Sequence, residues 1–294
     1  MNGKDITLDF VKTLLPERND ISNKGTYGKV LNIAGCKKYQ GAAYLSSLTP
    51  LKCGAGLVTL ATITDVINNL AGNCPWVTFL PLRDCEKKCI ASDSFNDLKT
   101  EIKNYNAISA GPGLSDESPV EAFIIDLIHY IKQSETKCVI DADAINLAAK
   151  TEIKEFSHNT VITPHPMELS RLIGIPLQDI QNDRIKYARY TAEKYKCAVV
   201  LKGHKTVICS PAMDIFINNT GNSALAKAGS GDVLTGLIAG FMAQGLTSIN
   251  AAILGVYIHG LCGDFAAEDL TQYCVLATDQ IDYIPKAIKY ILEN

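Results

Sequence analysis

The sequence lacks a basic excess. Its 28 Lys and Arg stand against 31 Asp and Glu, for a formal net charge of -3, and no polybasic cluster breaks the balance. Neither the counterion release that drives nucleic-acid binding nor attraction to an anionic lipid surface is therefore on offer, and nucleic acid and membrane are not expected partners. Also missing is the uninterrupted apolar stretch of a secretory signal: the first twenty residues, MNGKDITLDFVKTLLPERND, set charges among their apolar positions. The longest apolar-rich run, 233–243, is too short to cross a bilayer and holds two glycines. The expected location is the cytoplasm. No linker, low-complexity tract or internal repeat marks a boundary. The expectation is one domain over residues 1–294, whose 47% hydrophobic content can fill one large core.

Zinc-like spacing is absent too. Ten cysteines are scattered along the chain, several inside apolar strand-like runs: Cys138 in KCVID, Cys197 in CAVVL, Cys209 in TVICS. They read as buried reduced thiols packing as small hydrophobes. Cys85 and Cys89 are spaced for adjacent turns of a helix, but no second Cys/His pair accompanies them, so no structural metal is expected.

What is present is alternation. β-Branched runs at 30–35, 57–62, 107–111, 138–143, 160–164 and 198–203 are separated by helix-length stretches, among them 119–132, 177–195 and 284–292. Such alternation predicts βαβ units around a buried, mostly parallel sheet. Past Lys202, KTVICS and DIFINN predict a hairpin at the sheet edge. After Gly221 the chain turns helical and rich in Gly and Ala, which suits close packing on a sheet or between helices.

Ala228-Gly229-Ser230-Gly231-Asp232 runs straight into an apolar helix. Glycines at a helix start let bare N–H groups and the helix dipole hold phosphate oxygens, and a carboxylate beside them can take a proton from a hydroxyl during phosphoryl transfer. Asp232 is either that base or a helix cap. No Gly-Lys-Ser/Thr follows, so this is not a Walker A loop. In TPHPMEL, His165 stands at a strand's C-terminal end, where open α/β sheets bind ligands, with Glu168 opening the next helix; packing or exposure is the other reading of a lone His. VIDADAIN brings Asp141, Asp143 and Asn146 off a buried strand, to order water, magnesium or substrate, or, for Asp141, to cap a helix. Lys202-Gly203-His204-Lys205-Thr206 is a turn that suits nucleotide phosphates or sugar, or is a basic exposed turn. Ala110-Gly111-Pro112-Gly113-Leu114 supplies a strand end with bare backbone, as close ligand approach requires, and Gly41-Ala42-Ala43 opens a helix after VLNIAG and the loop CKKYQ, as many βα turns with a glycine do.

In order, the segments at 23–35, 41–62, 110–114, 139–146, 163–169, 201–208 and 220–240 resemble the ADP- or ATP-dependent NAD(P)H-hydrate dehydratases, a branch of the ribokinase-like superfamily. The resemblance implies a three-layer α/β/α sandwich and dehydration of the S form of hydrated NADH or NADPH, with ADP favoured and AMP and phosphate released. It implies that Ala42, Gly113, His165 and Asp232 touch the hydrated nucleotide, and that Lys202 to Thr206 with Gly231 line the adenine-nucleotide site. Gly229, Ser230 and Gly231 form the anion hole, Asp232 is the catalytic base, and Glu168 reaches magnesium through water. A homotetramer and a separate epimerase are the implied partners, with no epimerase domain here. Ser230 stands where the family often has Thr, which keeps the hydroxyl and the N–H. Asn23 stands where a His is common, which puts a peripheral contact in doubt. The competing readings are a vitamin or hydroxyethylthiazole kinase of the same superfamily, which shares the Gly-Ser-Gly-Asp element, and a nucleotide sensor without chemistry.

Overall fold

The computed structural model describes residues 3–134, 136–151 and 153–294. Ten strands form one sheet: β1 (Lys4–Asp5), β2 (Lys29–Ile33), β3 (Leu57–Ile63), β4 (Thr78–Leu82), β5 (Ala107–Ala110), β6 (Lys137–Ile140), β7 (Thr160–Ile162), β8 (Ala198–Leu201), β9 (Val207–Cys209) and β10 (Ile215–Ile217). Their spatial order is β1-β10-β9-β8-β7-β6-β5-β2-β3-β4, and only β9 runs antiparallel to its neighbours. The predicted hairpin is β9–β10, but β1 pairs outside it and takes the edge. At the other edge β4 escaped the sequence reading. Its Pro81 cannot donate to a ladder and is tolerated because β4 has a neighbour on one side only.

The central strands are largely apolar because they are covered on both faces, whereas the edge strands β1 and β4 are mostly exposed or half-buried. Leu31, Ile108, Ile140, Ile162 and Val199 face a core with the helices Ser118–Gln133, Pro166–Ile173 and Arg184–Tyr195. Val30, Ala107, Val139, Val161 and Ala198 face a second core with the helices Ser230–Ala243, Ser248–Cys274 and Ile284–Glu293. The result is a mostly parallel α/β/α sandwich, the architecture expected from the sequence. The predicted helix over 177–195 is two, because Asp183 leaves helical geometry (φ -144°, ψ 75°) and its carboxylate accepts the Lys186 N–H to cap the second.

Two further expectations are corrected. Ser248–Cys274 is long and apolar enough by length and composition to cross a membrane, yet 78% of its apolar window is buried inside the protein, where it serves as a core helix. Cys85 and Cys89 lie on no helix: Asp84 and Ile90 pair antiparallel and the two cysteines face each other across the turn.

Chain order runs outward from β2 through β3 and β4, then from β5 through β8 on the other side. The direction therefore switches between β2 and β5, the kind of position beyond whose C-terminal strand ends open α/β sheets bind ligands. The helix Ser230–Ala243 lies close to the helix Gln40–Lys52. A Cβ on Gly236 would stand 2.6 Å from the Thr49 Cβ, and one on Gly240 would stand 2.4 Å from the Cys53 sulfur. Gly240→Val is expected to lower unfolding stability by roughly 2–3 kcal/mol, as overpacking of a close helix contact does. A urea midpoint equal to that of the unaltered chain would contradict this packing.

Candidate active site

Three adjacent strands deliver three side chains to one end of the sheet. Asp141 follows β6, His165 lies three residues past β7, and Lys202 follows β8. The Asp141 carboxylate is buried and joins the others. One oxygen accepts from the Lys202 Nζ at 2.8 Å, and the second from the Thr235 hydroxyl at 2.7 Å. Asp141 is the N-cap of the helix Ala142–Ala149, but its side chain makes no capping bond, so the capping alternative fails. The backbone is tight here. Ala142 takes φ 48°, and Gly111 (φ 133°) passes so near that a Cβ on it would stand 1.8 Å from the Asp141 carbonyl oxygen.

Burial opposes charge on Asp141, but the Lys202 cation and the hydrogen bonds from Lys202 and Thr235 outweigh it and hold the carboxyl below its ordinary pKa. Burial likewise disfavours the Lys202 cation, and Asp141 and Glu168 more than compensate, raising its pKa. Lys202 Nζ is 3.7 Å from a Glu168 oxygen.

The Gly-Ser-Gly-Asp element stands over this pair. Gly229 has φ 90°, and a Cβ there would meet Leu45 at 2.6 Å and Ala277 at 2.8 Å, so glycine alone suits the helix start. A Cβ on Gly231 would lie 3.5 Å from the Lys202 Nζ and 3.7 Å from an Asp141 oxygen. Ser230 is buried, its hydroxyl 3.1 Å from Nε2 of His259, which also lies 3.2 Å from the Gln280 side-chain oxygen. Burial pushes His259 down to about 4, so its ring is neutral near pH 7.

Asp232 titrates in the opposite sense to Asp141. Burial and the nearby Asp141 charge push it up to about 7, against the downward pull of Lys202. The two carboxylates are thus split by environment: one stays ionised as a strut, and the other exchanges a proton near neutrality.

A cavity of about 870 Å³ opens on these groups. His165, Lys202, Gly203, His204, Lys205, Thr206, Ser230, Gly231 and Asp232 all line it; Gly229 and Glu168 do not. Ala42 and Gly113 lie against each other at the β2–β5 switch point, where a Cβ on Gly113 would be 2.9 Å from the Ala42 Cβ, and neither lines this cavity. His165 does more than face ligand. Its Nδ1 accepts the N–H groups of Met167 (3.2 Å) and Glu168 (3.1 Å), and Glu168 accepts the His165 N–H at 2.7 Å, a reciprocal helix cap. Burial lowers the pKa of His165 and raises that of Glu168.

Asn146 accepts from Arg171 and is held at the helix surface, while Asp143 accepts the Ser115 N–H at 2.8 Å. Sequence reasoning missed Thr235, His259 and Arg184. Arg184 donates to the carbonyls of Leu201, His204 and Lys205 and so shapes the basic turn. No local pattern marks any of the three, for each acts across the fold. Among the described residues no group of three or more His, Cys, Asp or Glu is gathered as a metal cage.

The site can hold an anion on helix N–H groups, set a lysine beside it and offer a carboxylate of near-neutral pKa to a hydroxyl. Comparisons with known proteins agree with that chemistry. The NAD(P)H-hydrate dehydratase family model matches residues 30–286. The chain is 34% identical over 289 residues to the ADP-dependent (S)-NAD(P)H-hydrate dehydratase of Bacillus subtilis, covering 98% of this chain and 99% of that one. It is 37% identical over 295 residues to a bifunctional NAD(P)H-hydrate repair enzyme of Moorella thermoacetica, covering 100% of this chain but 54% of the relative, so it spans about half the length of that protein. The crystal structure of the Bacillus subtilis ADP/ATP-dependent NAD(P)H-hydrate dehydratase, co-crystallised with ATP and Mg2+, superposes with a TM-score of 0.85 at 31% identity, covering 99% of both chains. The family model and these likenesses show that the chain belongs to the NAD(P)H-hydrate dehydratase family, on a ribokinase-like fold.

Proposed function

We propose that this chain is a nucleotide-dependent dehydratase that returns the S form of hydrated NADH and NADPH to NADH and NADPH. The observation that carries this reading is Asp232: a carboxyl with a pKa of about 7, beside a glycine-lined helix start, in a cavity whose floor is an ion-paired lysine. Asp232 removes the proton of the ring hydroxyl, whose oxygen attacks the terminal phosphorus of ADP, and AMP leaves. The Gly231 N–H at the helix start is proposed to hold a phosphoryl oxygen as charge moves; of the expected anion hole, the Ser230 N–H already donates to the Lys227 carbonyl at 3.3 Å and Gly229 stands outside the cavity lining. The dihydropyridine nitrogen's lone pair then expels phosphate, and loss of a proton from the adjacent carbon restores the ring double bond. Phosphorylation turns a poor leaving group into a good one.

Lys202 to Thr206 and Gly231, which line the cavity, are proposed for the adenine nucleotide, and Ala42, Gly113 and His165 for the hydrated ring. The ADP preference follows the name of the Bacillus subtilis relative. Magnesium fits this donor set as an ion carried on the nucleotide phosphates, where it would offset their charge. Asp141 is committed to Lys202 and Thr235, and Glu168 to the His165 N–H outside the cavity lining, so Glu168, with Asp143 close by, would reach such an ion only through water. An epimerase acting on the hydrates is the proposed functional partner, because a base fixed on one side of the ring serves one configuration of the hydroxyl.

Incubation with hydrated NADH and ADP tests the reading: dihydronicotinamide absorbance should return with release of phosphate. No return would end the proposal, and a stable phosphorylated alcohol would indicate the small-molecule kinase instead. Asp232→Asn is expected to lower turnover at least about a hundredfold while nucleotide affinity is kept; unchanged turnover would remove the residue from its role, and lost nucleotide binding would make it a binding group.

Because the base must be ionised, kcat/KM should fall about tenfold per pH unit below about 7 and level off above it. Stability carries the opposite sign. The folded-state pKa lies above the ordinary 3.8, so the native chain binds more protons between those values and loses stability as pH rises through that window. Melting curves at about pH 8 should therefore place Asp232→Asn above the unaltered protein, with the difference vanishing near about pH 4.

A further inference from the structure

Away from the cavity, Cys85 and Cys89 sit at the base of a tight turn. The Cys85 N–H donates to the Cys89 carbonyl at 2.9 Å, Lys88 takes φ 60° to close the turn, and the two sulfurs are 2.8 Å apart, beyond a covalent bond of about 2.05 Å. Cys85 is partly exposed and Cys89 is buried. No other sulfur pair is recorded in contact among the described residues; seven of the remaining thiols are buried and Cys274 is exposed.

We infer that Cys85 and Cys89 form a reversible intrachain disulfide, a modification site for hydroperoxides outside the nucleotide cavity. The partly exposed Cys85 thiolate attacks the peroxide: the S–O bond forms, the O–O bond breaks, and the departing oxygen leaves as water or an alcohol. The Cys89 sulfur then attacks the Cys85 sulfenic acid, the S–S bond forms, and the S–O bond breaks to release water. Two thiols lose two electrons in all, and the hydroperoxide gains them.

The environments divide these roles. Burial opposes charge on Cys85, but hydrogen bonding from the Cys89 thiol and from backbone N–H groups of Cys89 and Lys87 prevails and lowers its pKa; burial pushes Cys89 up to about 12. The turn is also joined to both loops at the switch point. Lys37 donates its N–H to the Lys88 carbonyl at 3.0 Å, Lys87 pairs with Glu117, and Cys89 lies beside Ser115, whose N–H holds Asp143. The bond would therefore tether the ground beneath Gly113 and the loop that leads to Ala42.

The sequence offers a direct assay, because trypsin cleaves after Arg83, Lys87, Lys88 and Lys99 and so separates the two cysteines. After the reduced, full chain is treated with hydrogen peroxide and its free thiols are alkylated in denaturant, peptides 84–87 and 89–99 should emerge covalently joined. Alkylatable thiols should fall from ten to eight, with both changes reversed by dithiothreitol. In Cys89→Ser the Cys85 sulfenic acid should persist and be captured by dimedone. Separate peptides with Cys85 carried on to sulfinic acid, or a Cys85 link to any cysteine other than Cys89, would overturn the inference. Oxidation should also change the KM for hydrated NADH by several-fold and leave that for ADP unaltered. This second expectation rests on the function proposed above, whereas the peptide map does not, so the two fail separately; an unchanged hydrate KM would sever the link between turn and substrate loops.

Discussion

The buried carboxylate of Asp141 is the constraint around which the C-terminal end of the sheet at β6 to β8 is arranged. It follows one strand, accepts a hydrogen bond from the lysine that follows another, and accepts a second from a threonine on the glycine-started helix. An ionised carboxylate with no solvent contact is tolerable only with such partners. Its need for them draws the strands β6 and β8 and the helix Ser230–Ala243 into one register. The bare Cα of Gly231 then rests directly over the pair.

That arrangement also sets the chemistry. Asp141 and Asp232 are the same residue type a short distance apart, yet one is held below the ordinary carboxyl pKa and the other is pushed up to about 7. The difference lies in partners: Asp141 receives a cation and a hydroxyl, while Asp232 is desolvated, feels the negative charge of Asp141 and is only partly relieved by Lys202. A carboxylate that must stay charged thereby raises the basicity of one that must move a proton. His165 and Glu168 belong to the same economy of partners, since each caps the other's backbone and so stiffens the loop between sheet and helix.

Much of this was legible before any coordinates. The continuous apolar runs announced a sheet covered on both faces, and the strands they predicted are those found from β2 to β10, β4 excepted. β4 was hidden by a proline that only an edge position permits, and β1 by its two-residue length. The helix over 177–195 was read as one because its apolar spacing continues through Asp183, whose side chain nonetheless finds a backbone N–H and breaks it. Cys85 and Cys89 have the spacing of a helix but sit on a turn, since four-residue spacing is shared by both.

Local order along the chain determined the elements and the chemistry on offer: glycines where a helix must begin close to an anion, an aspartate one turn in, and polar residues at the ends of buried strands. These are properties of neighbouring residues, so the sequence alone carries them. What Asp141 and Lys202 would hold, how far the two aspartates would be split in acidity, and that Thr235, His259 and Arg184 would stand beside these groups were decided only by tertiary structure. Ionisation and hydrogen bonding depend on what stands a few ångströms away in space, and those neighbours are 61 and 94 positions distant in the chain for Asp141 alone.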